Sequence, residues 1–198
     1  VRAHFTLTLV VSADGFIAPR AGVSPQDWAS AEEQELFFAD IDAADWSIMG
    51  RGTAETADRP ERRRIIFSST AGGGEWRRPT QFWIDPYGLG AADLGNSVAP
   101  VRPLRKGLIL GGTKVHDWFH MQRAMDRVHL TVEPVFFGSG LPIFSGLSTV
   151  DPVAAFRRAG YYPVSERLLN AAGTRFLVLE PRDVMAATRP RRLPGAEA

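Results

Sequence analysis

At 198 residues, 44% apolar and 23% charged, the chain suits one domain with a sizeable core. A net charge of +1 gives no general pull toward nucleic acid or an anionic membrane. The absence of cysteine excludes disulfides, thiolate catalysis and cysteine metal ligands.

Phe5 to Val11 is the most hydrophobic N-terminal segment, and Thr6 and Thr8 alternate with Phe5, Leu7 and Leu9 before the run becomes wholly apolar. This predicts a central strand. It is too short to span a membrane and lacks the pattern of a secretory signal, so a cytoplasmic protein is expected. Asp14-Gly15 marks a turn, after which Phe16 and Ile17 re-enter the interior or cover a cleft. Ser30 to Ala44 is the best local helix signal. Ser30 caps it, Glu33 three residues on completes a capping box, and Glu32 and Glu35 favour its positive end.

Trp46 to Met49 reads as a short strand ending at Gly50-Arg51-Gly52-Thr53. Arg51 is a forked cation suited to phosphate and Thr53 a hydroxyl near a helix start; an arginine facing solvent in a turn is the alternative. Arg59, Arg62, Arg63 and Arg64 follow, read as a solvated loop. A third short strand, Ile65 to Phe67, ends at Ser68-Ser69-Thr70, where hydroxyls can hold another phosphate. Gly72 to Gly74 and Pro79 bound a flexible excursion, Gln81 to Ile84 is a fourth strand, and a short helix is expected near Ala91 to Leu94.

Leu108 to Leu110 is an apolar run ending in Gly111-Gly112, then a helix is expected over Lys114 to Met125 and a strand over Arg127 to Val132. Paired glycines at a strand end admit close backbone approach, and the following helix offers free N–H groups to an anion; a tight turn before a helix is the plain alternative. His116 and His120 share a helix face without a third ligand, so no metal is expected and both imidazoles should face solvent. Tyr161 to Leu179 reads as a terminal hairpin, and residues beyond Pro181 as a weakly ordered tail.

Short apolar strands thus end repeatedly in Gly, Ser, Thr or Arg, at Ser12, Gly50, Ser68 and Gly111. In open α/β sheets such ends gather on one edge and form a ligand crevice. A phosphate-bearing cofactor is the leading expectation. The arginine run is too short, and the overall charge too even, to favour nucleic-acid binding.

In order and spacing these pieces resemble the dihydrofolate-reductase-like fold, specifically the reductase domain of the bifunctional riboflavin-biosynthesis deaminase-reductases and its stand-alone relatives. The resemblance covers about residues 4 to 180. It rests on Ser12-Ala13-Asp14-Gly15-Phe16-Ile17-Ala18, Trp28-Ala29-Ser30-Ala31-Glu32, Ile48-Met49-Gly50-Arg51-Gly52-Thr53, Leu110-Gly111-Gly112 and the segment from Glu133 to Phe144. It implies an α/β fold with a mainly parallel central sheet flanked by helices and a C-terminal antiparallel hairpin, in a single domain over residues 1–180. It implies an NADPH-dependent reductase acting on a small, heterocyclic or ribosylaminopyrimidine-like substrate, and a homodimer. Arg51 and Thr53 would meet cofactor phosphates, with Ser12 and Gly50 at the same strand ends. Ser68 and Ser69 would lie near the adenosine 2′-phosphate, and Gly111, Gly112 and Thr113 would line the diphosphate. Asp14, then Glu32, are the candidate proton donors. Counting back from Gly50 puts Gln34 where dihydrofolate reductases carry a helix carboxylate, which disfavours folate reduction. A protein that binds NADPH without turnover is the remaining alternative.

Overall fold

The computed structural model describes residues 2–147 and 151–182. Along the chain the elements are β1 (His4–Ser12), β2 (Phe16–Ala18), α1 (Ala31–Ala43), β3 (Trp46–Gly50), α2 (Arg51–Thr56), β4 (Arg64–Phe67), β5 (Glu75–Arg78) and β6 (Gln81–Ile84). Then follow α3 (Leu94–Val98), β7 (Lys106–Gly111), α4 (Thr113–Met121), β8 (Arg127–Glu133), β9 (Leu141–Pro142), α5 (Pro152–Arg158), β10 (Tyr161–Leu168) and β11 (Arg175–Pro181).

Nine strands form one sheet in the order β10-β11-β8-β1-β7-β3-β4-β6-β5, and β2 pairs with β9 in a separate ribbon. The six strands from β8 to β6 are parallel, while β11, β10 and β5 are antiparallel additions. The expected α/β class, mainly parallel sheet and C-terminal hairpin are therefore all present. The expected tail lies, from residue 183 on, outside the described residues.

Right-handed crossovers dictate the layers. The links from β1 to β3 and from β3 to β4 run one way along the sheet, so α1 and α2 share a face. Those from β6 to β7 and from β7 to β8 run the other way, which puts α3 and α4 on the opposite face. The side chains agree. Phe5, Leu7, Leu9 and Val11 of β1 pack in one core with Leu94, Val98, Val115, Phe119 and Phe156. Met49, Ala54, Ile66 and Trp83 make a smaller core under α2.

Helix α1 is seated differently. It packs on β1 and β7, yet its one buried residue is Glu33. Beneath this face the sheet buries polar groups: Thr8, Ser47, Thr131 and Glu133. His129 Nδ1 lies 2.8 Å from Asp40 Oδ2 and ties α1 to β8.

Five sequence expectations change. Glu33 does not close the capping box: Ser30 Oγ accepts from the Glu33 amide at 3.3 Å, but the Ser30 amide donates to Glu133 Oε1 at 2.8 Å, across 103 residues. Helix α4 stops at Met121, because Arg123 has φ +50 and the chain then turns Ala124 and Met125 into the core. Arg64 is no loop residue; it opens β4, is buried, and donates from Nη1 to Ala57 O at 2.7 Å. The expected excursion at 72–79 contains β5, a strand whose polar sequence hid its pairing with β6. His116 is 1% exposed rather than solvent-facing, as described next. Among the described residues no helix is long and apolar enough to cross a membrane.

Candidate functional site

Because the six strands are parallel, Ser12, Gly50, Phe67, Ile84, Gly111 and Glu133 all end at one edge of the sheet. The helices leave β7 and β3 in opposite directions, so a crevice opens between these neighbours. The predicted site residues divide around it.

On one side stand the glycine exits. Gly50 precedes α2 and Gly112 precedes α4, and neither helix start has a side-chain cap. Ser30 caps α1 and Asp151 caps α5, while α3, led by Asp93, also starts without a side-chain cap. Gly111 has φ +94, and a Cβ there would stand 2.5 Å from His116 Nε2. The Gly111–Gly112 peptide is cis. His116 fills the space left by Gly111, its Nδ1 2.8 Å from Ile143 O, and its buried Nε2 has no partner. Burial holds its pKa below the usual value despite the Ile143 bond. Its concealment had one readable trace, a glycine pair just before the helix that carries it.

A Cβ at Gly112 would meet only Ile17 Cδ1, at 4.0 Å, and one at Gly52 nothing within 4 Å. Thr113 Oγ1 donates to Pro142 O at 2.6 Å, so this hydroxyl ties the helix start to β9. Arg51 is exposed, with a loose contact of 3.9 Å to Glu55, and Thr53 lies half-buried two residues on. Ser68 is buried and shares a 3.0 Å bond with Thr70 Oγ1, while Ser69 is exposed at the turn. Beside them an open hollow of about 230 Å³ lies over Gly72, Gly73, Ile84 and Tyr87. Open glycine surface, two glycine-led helix starts without side-chain caps and an exposed arginine suit the phosphates of a nucleotide cofactor. A second hollow, of about 260 Å³, lies at the far end of the strands between Asp42, Asp45 and Arg62, away from all of these groups.

On the other side stand β1, β8 and the first turn of α1. Ser12 Oγ accepts from the Phe16 amide at 3.0 Å and closes the turn into β2. Asp14 accepts from the Phe137 amide at 3.2 Å and the Gly138 amide at 2.8 Å. Burial alone would raise its pKa, but bonds from Ser12, Gly138 and Phe137 hold it below the usual carboxylate value. Asp14 thus latches the 134–140 loop, to which Val135 O adds a bond from the Ala13 amide at 2.8 Å. This explains why the apolar run at 135–137 forms no strand. Glu32 is exposed and accepts from Asn170 Nδ2 at 3.2 Å; its own backbone amide and Asn170 lower its pKa.

Two glutamates complete this side, Glu33, expected only as a capping partner, and Glu133, expected only as the start of a motif. Glu133 is buried, with Oε1 on the Ser30 amide and Oε2 on Thr174 Oγ1 at 2.7 Å. Glu33 is 6% exposed, and among the described residues nothing hydrogen-bonds its carboxylate. Burial, then the charges of Glu133 and Asp40, push its pKa up to about 7. Gln34, the residue reached by counting, instead donates to Ala29 O at 3.4 Å. Trp28 stands edge-on to Phe137, ring centroids 5.0 Å apart, and its buried Nε1 has no partner. Among the described residues no group of three or more His, Asp or Glu could hold a metal ion.

No family model matches the sequence, and no curated protein matches it significantly. Solved structures do match. The diaminohydroxyphosphoribosylaminopyrimidine deaminase/5-amino-6-(5-phosphoribosylamino)uracil reductase of Thermotoga maritima is 19% identical with a TM-score of 0.66, over 91% of this chain and 57% of that one. RibD from Acinetobacter baumannii is 15% identical with a TM-score of 0.69, over 91% and 58%. Dihydrofolate reductase from Enterococcus faecalis, complexed with NADP(H), is 14% identical with a TM-score of 0.62, over 92% and 100%. The chain therefore spans somewhat over half the length of the first two and the full length of the dihydrofolate reductase. It has the dihydrofolate-reductase-like fold.

Proposed function

We propose that this protein is an NADPH-dependent oxidoreductase that passes a hydride to a C=N or C=O carbon of a small heterocycle. The observation that carries the reading is the meeting, at one sheet edge, of two uncapped, glycine-led helix starts with a buried carboxyl of raised pKa. The fold shared with a reductase complexed with NADP(H) supports it.

NADPH would supply the hydride. The chain's own part is to bind, orient and shield. Gly111, Gly112 and the start of α4 would hold the diphosphate, with Arg51 and Thr53 on its other flank. Ser68 and Ser69 would face the adenosine end, where the hollow beside β6 gives room. Ile17, on the β2–β9 ribbon, stands over Gly112 and would keep water from the reacting rings. Proton delivery falls to Glu33. An acid with a pKa near the working pH donates best, and the bonds on Asp14 favour its ionised form. Glu32, in water, would steer rather than donate. For association, β10 is an edge strand with Val164 and Leu168 exposed, which supports a homodimer through this edge.

Calorimetric titration with NADPH, with NADH in parallel, tests the core of the reading. NADPH should bind more tightly, and Arg51→Ala should weaken it about tenfold, the loss of one charge-assisted contact. No binding of either nucleotide to folded protein overturns the assignment.

A further inference from the structure

The six parallel strands begin at the end of the sheet opposite the crevice, at His4, Trp46, Arg64, Gln81, Lys106 and Arg127. The antiparallel additions bring charge to the same end. Arg157 and Arg158 close α5 just before β10, and Glu180 lies at the close of β11. The carboxylates around these starts are matched by arginines. Asp42 and Glu61 take Arg62, Asp45 takes Arg102, Asp58 takes Arg78, Asp126 takes Arg2 and Glu180 takes Arg127. Six cations are left over. Arg59, Arg105, Lys106, Arg123, Arg157 and Arg158 are all exposed, and among the described ion pairs none of them meets a carboxylate. They follow the sheet order: Arg157 and Arg158 at β10, Arg123 at β8, Arg105 and Lys106 at β7, and Arg59 beside β6, its carbonyl taking Gln81 Nε2 at 3.1 Å. From β10 to β6 is seven strand steps. At about 4.8 Å a step the row is roughly 34 Å long. The crevice end, where the strand exits carry Asp14, Asp85 and Glu133, lies about 20 Å away at about 3.3 Å per residue. That is more than two Debye lengths of about 8 Å at physiological salt, so the even net charge does not cancel the row.

We propose that this end of the sheet is an interaction surface for a single-stranded nucleic acid, held through its phosphates and without choice of base. A lone phosphate reaches one station of the row, so a partner that engages all of it is a polymer. Five of the six cations are guanidiniums, whose forks match phosphate oxygens. The path also selects the partner. A sheet twists by about 20–25° per strand, so over seven steps the row turns through roughly 140° or more. A flat lipid surface or a stiff duplex meets only part of such a path, whereas a flexible strand follows it. The exposed apolar residues beside the row, Val101 and Met121, offer no ring for base stacking, so recognition stays with the backbone. The surface stands apart from the crevice and does not depend on what the crevice binds.

The test is fluorescence anisotropy of a labelled oligothymidylate of about 20 nucleotides, titrated with the full chain. Between about 50 and 200 mM salt the affinity should fall roughly 50-fold or more, the slope of four or more phosphates. Arg105→Gln with Lys106→Gln, and separately Arg157→Gln with Arg158→Gln, should each weaken binding about tenfold and flatten the salt slope by about 1.4, the share of two phosphates. Arg51→Ala, at the crevice, should leave the oligonucleotide affinity unchanged. Absence of binding at low salt, in folded protein, overturns the proposal. So does binding that both double variants leave intact, or binding that Arg51→Ala removes, which would put the oligonucleotide in the crevice. Vesicles containing phosphatidylserine are run in parallel. Tighter binding to them than to the oligonucleotide would make this a lipid surface and overturns the proposal as well.

Discussion

On the β3–β7 side of the crevice, strands end in glycine, helices start uncapped, and the exposed charge is an arginine. On the β1–β8 side, strands end in Ser12 and Glu133, the helix start is capped twice over, and the charges are carboxylates. The first side is backbone held open; the second is side chains held in place. Backbone amides serve any phosphate, so that side should be indifferent to what is reduced. Fixed carboxylates discriminate, so the other side should carry the choice of substrate. Variants on each side should therefore move one binding constant and spare the other.

Glu33 is expected to give the largest separation. With any substrate that turns over, Glu33→Gln should lower kcat roughly 100-fold or more, the usual worth of a general acid, with NADPH affinity unchanged. Its stability effect runs the opposite way. A carboxyl whose pKa is raised from 4.5 to about 7 by folding contributes stability that is full below the unfolded value and lost as pH rises through the folded one. Chemical denaturation should show wild-type stability falling between these limits, and the variant flat across them and the more stable at pH 8. A fall that persists in the variant would assign the titration to another group.

Gly111→Ala attacks the opposite side. The new Cβ meets His116 Nε2 at 2.5 Å, on a backbone with φ +94 that disfavours any side chain. Backbone or imidazole must shift, at roughly 1–3 kcal/mol of stability. NADPH affinity should fall by about 100-fold if the diphosphate lies there, because a misplaced amide is lost as a donor. Gly52→Ala, with nothing within 4 Å of the added carbon, is the matched control and should change little.

The sheet, its glycine exits and the hairpin were legible because each rests on a local pattern: an apolar run, a turn residue, an alternation. β4, β6 and β8 came out within a residue of their bounds. The acidic side was not legible, because its key contact joins Ser30 to Glu133 across 103 residues and leaves no local trace. The capping-box pattern was present at Ser30 and Glu33, but a glutamate from the sheet won the amide and left Glu33 idle. That exchange is what turned a helix-start charge into the candidate acid. His116 failed for a related reason. Its spacing from His120 suggested an exposed pair, while the vacancy made by Gly111 drew one ring inside.

Arg51→Ala should weaken NADPH by about tenfold and leave the affinity for a substrate held on the acidic side within twofold. Because Arg51 is exposed and its contact with Glu55 is 3.9 Å, stability should stay within about 0.5 kcal/mol. An equal loss of both ligands would mean that the two sides are not separable, and the division drawn above would fail.

Asp14→Ala is the smallest expected effect and the finest check on roles. The carboxylate receives two amides, but Gly138 is exposed and water can replace it there, so the cost should be about 1 kcal/mol. With a folded-state pKa below 3.8, this stabilisation is present above the unfolded value and fades as pH falls through the folded one. The gap between wild type and variant should thus be constant at neutral pH and close toward the acid end. In catalysis, a latch and a proton donor predict different things. Losing a latch loosens the loop bearing Phe137 and raises KM, with the pH profile of kcat unmoved. Losing a donor removes a limb of that profile. An altered limb in Asp14→Ala, with Glu33→Gln keeping its own, would move the acid from α1 to the turn after β1 and exchange the roles assigned to the two carboxylates.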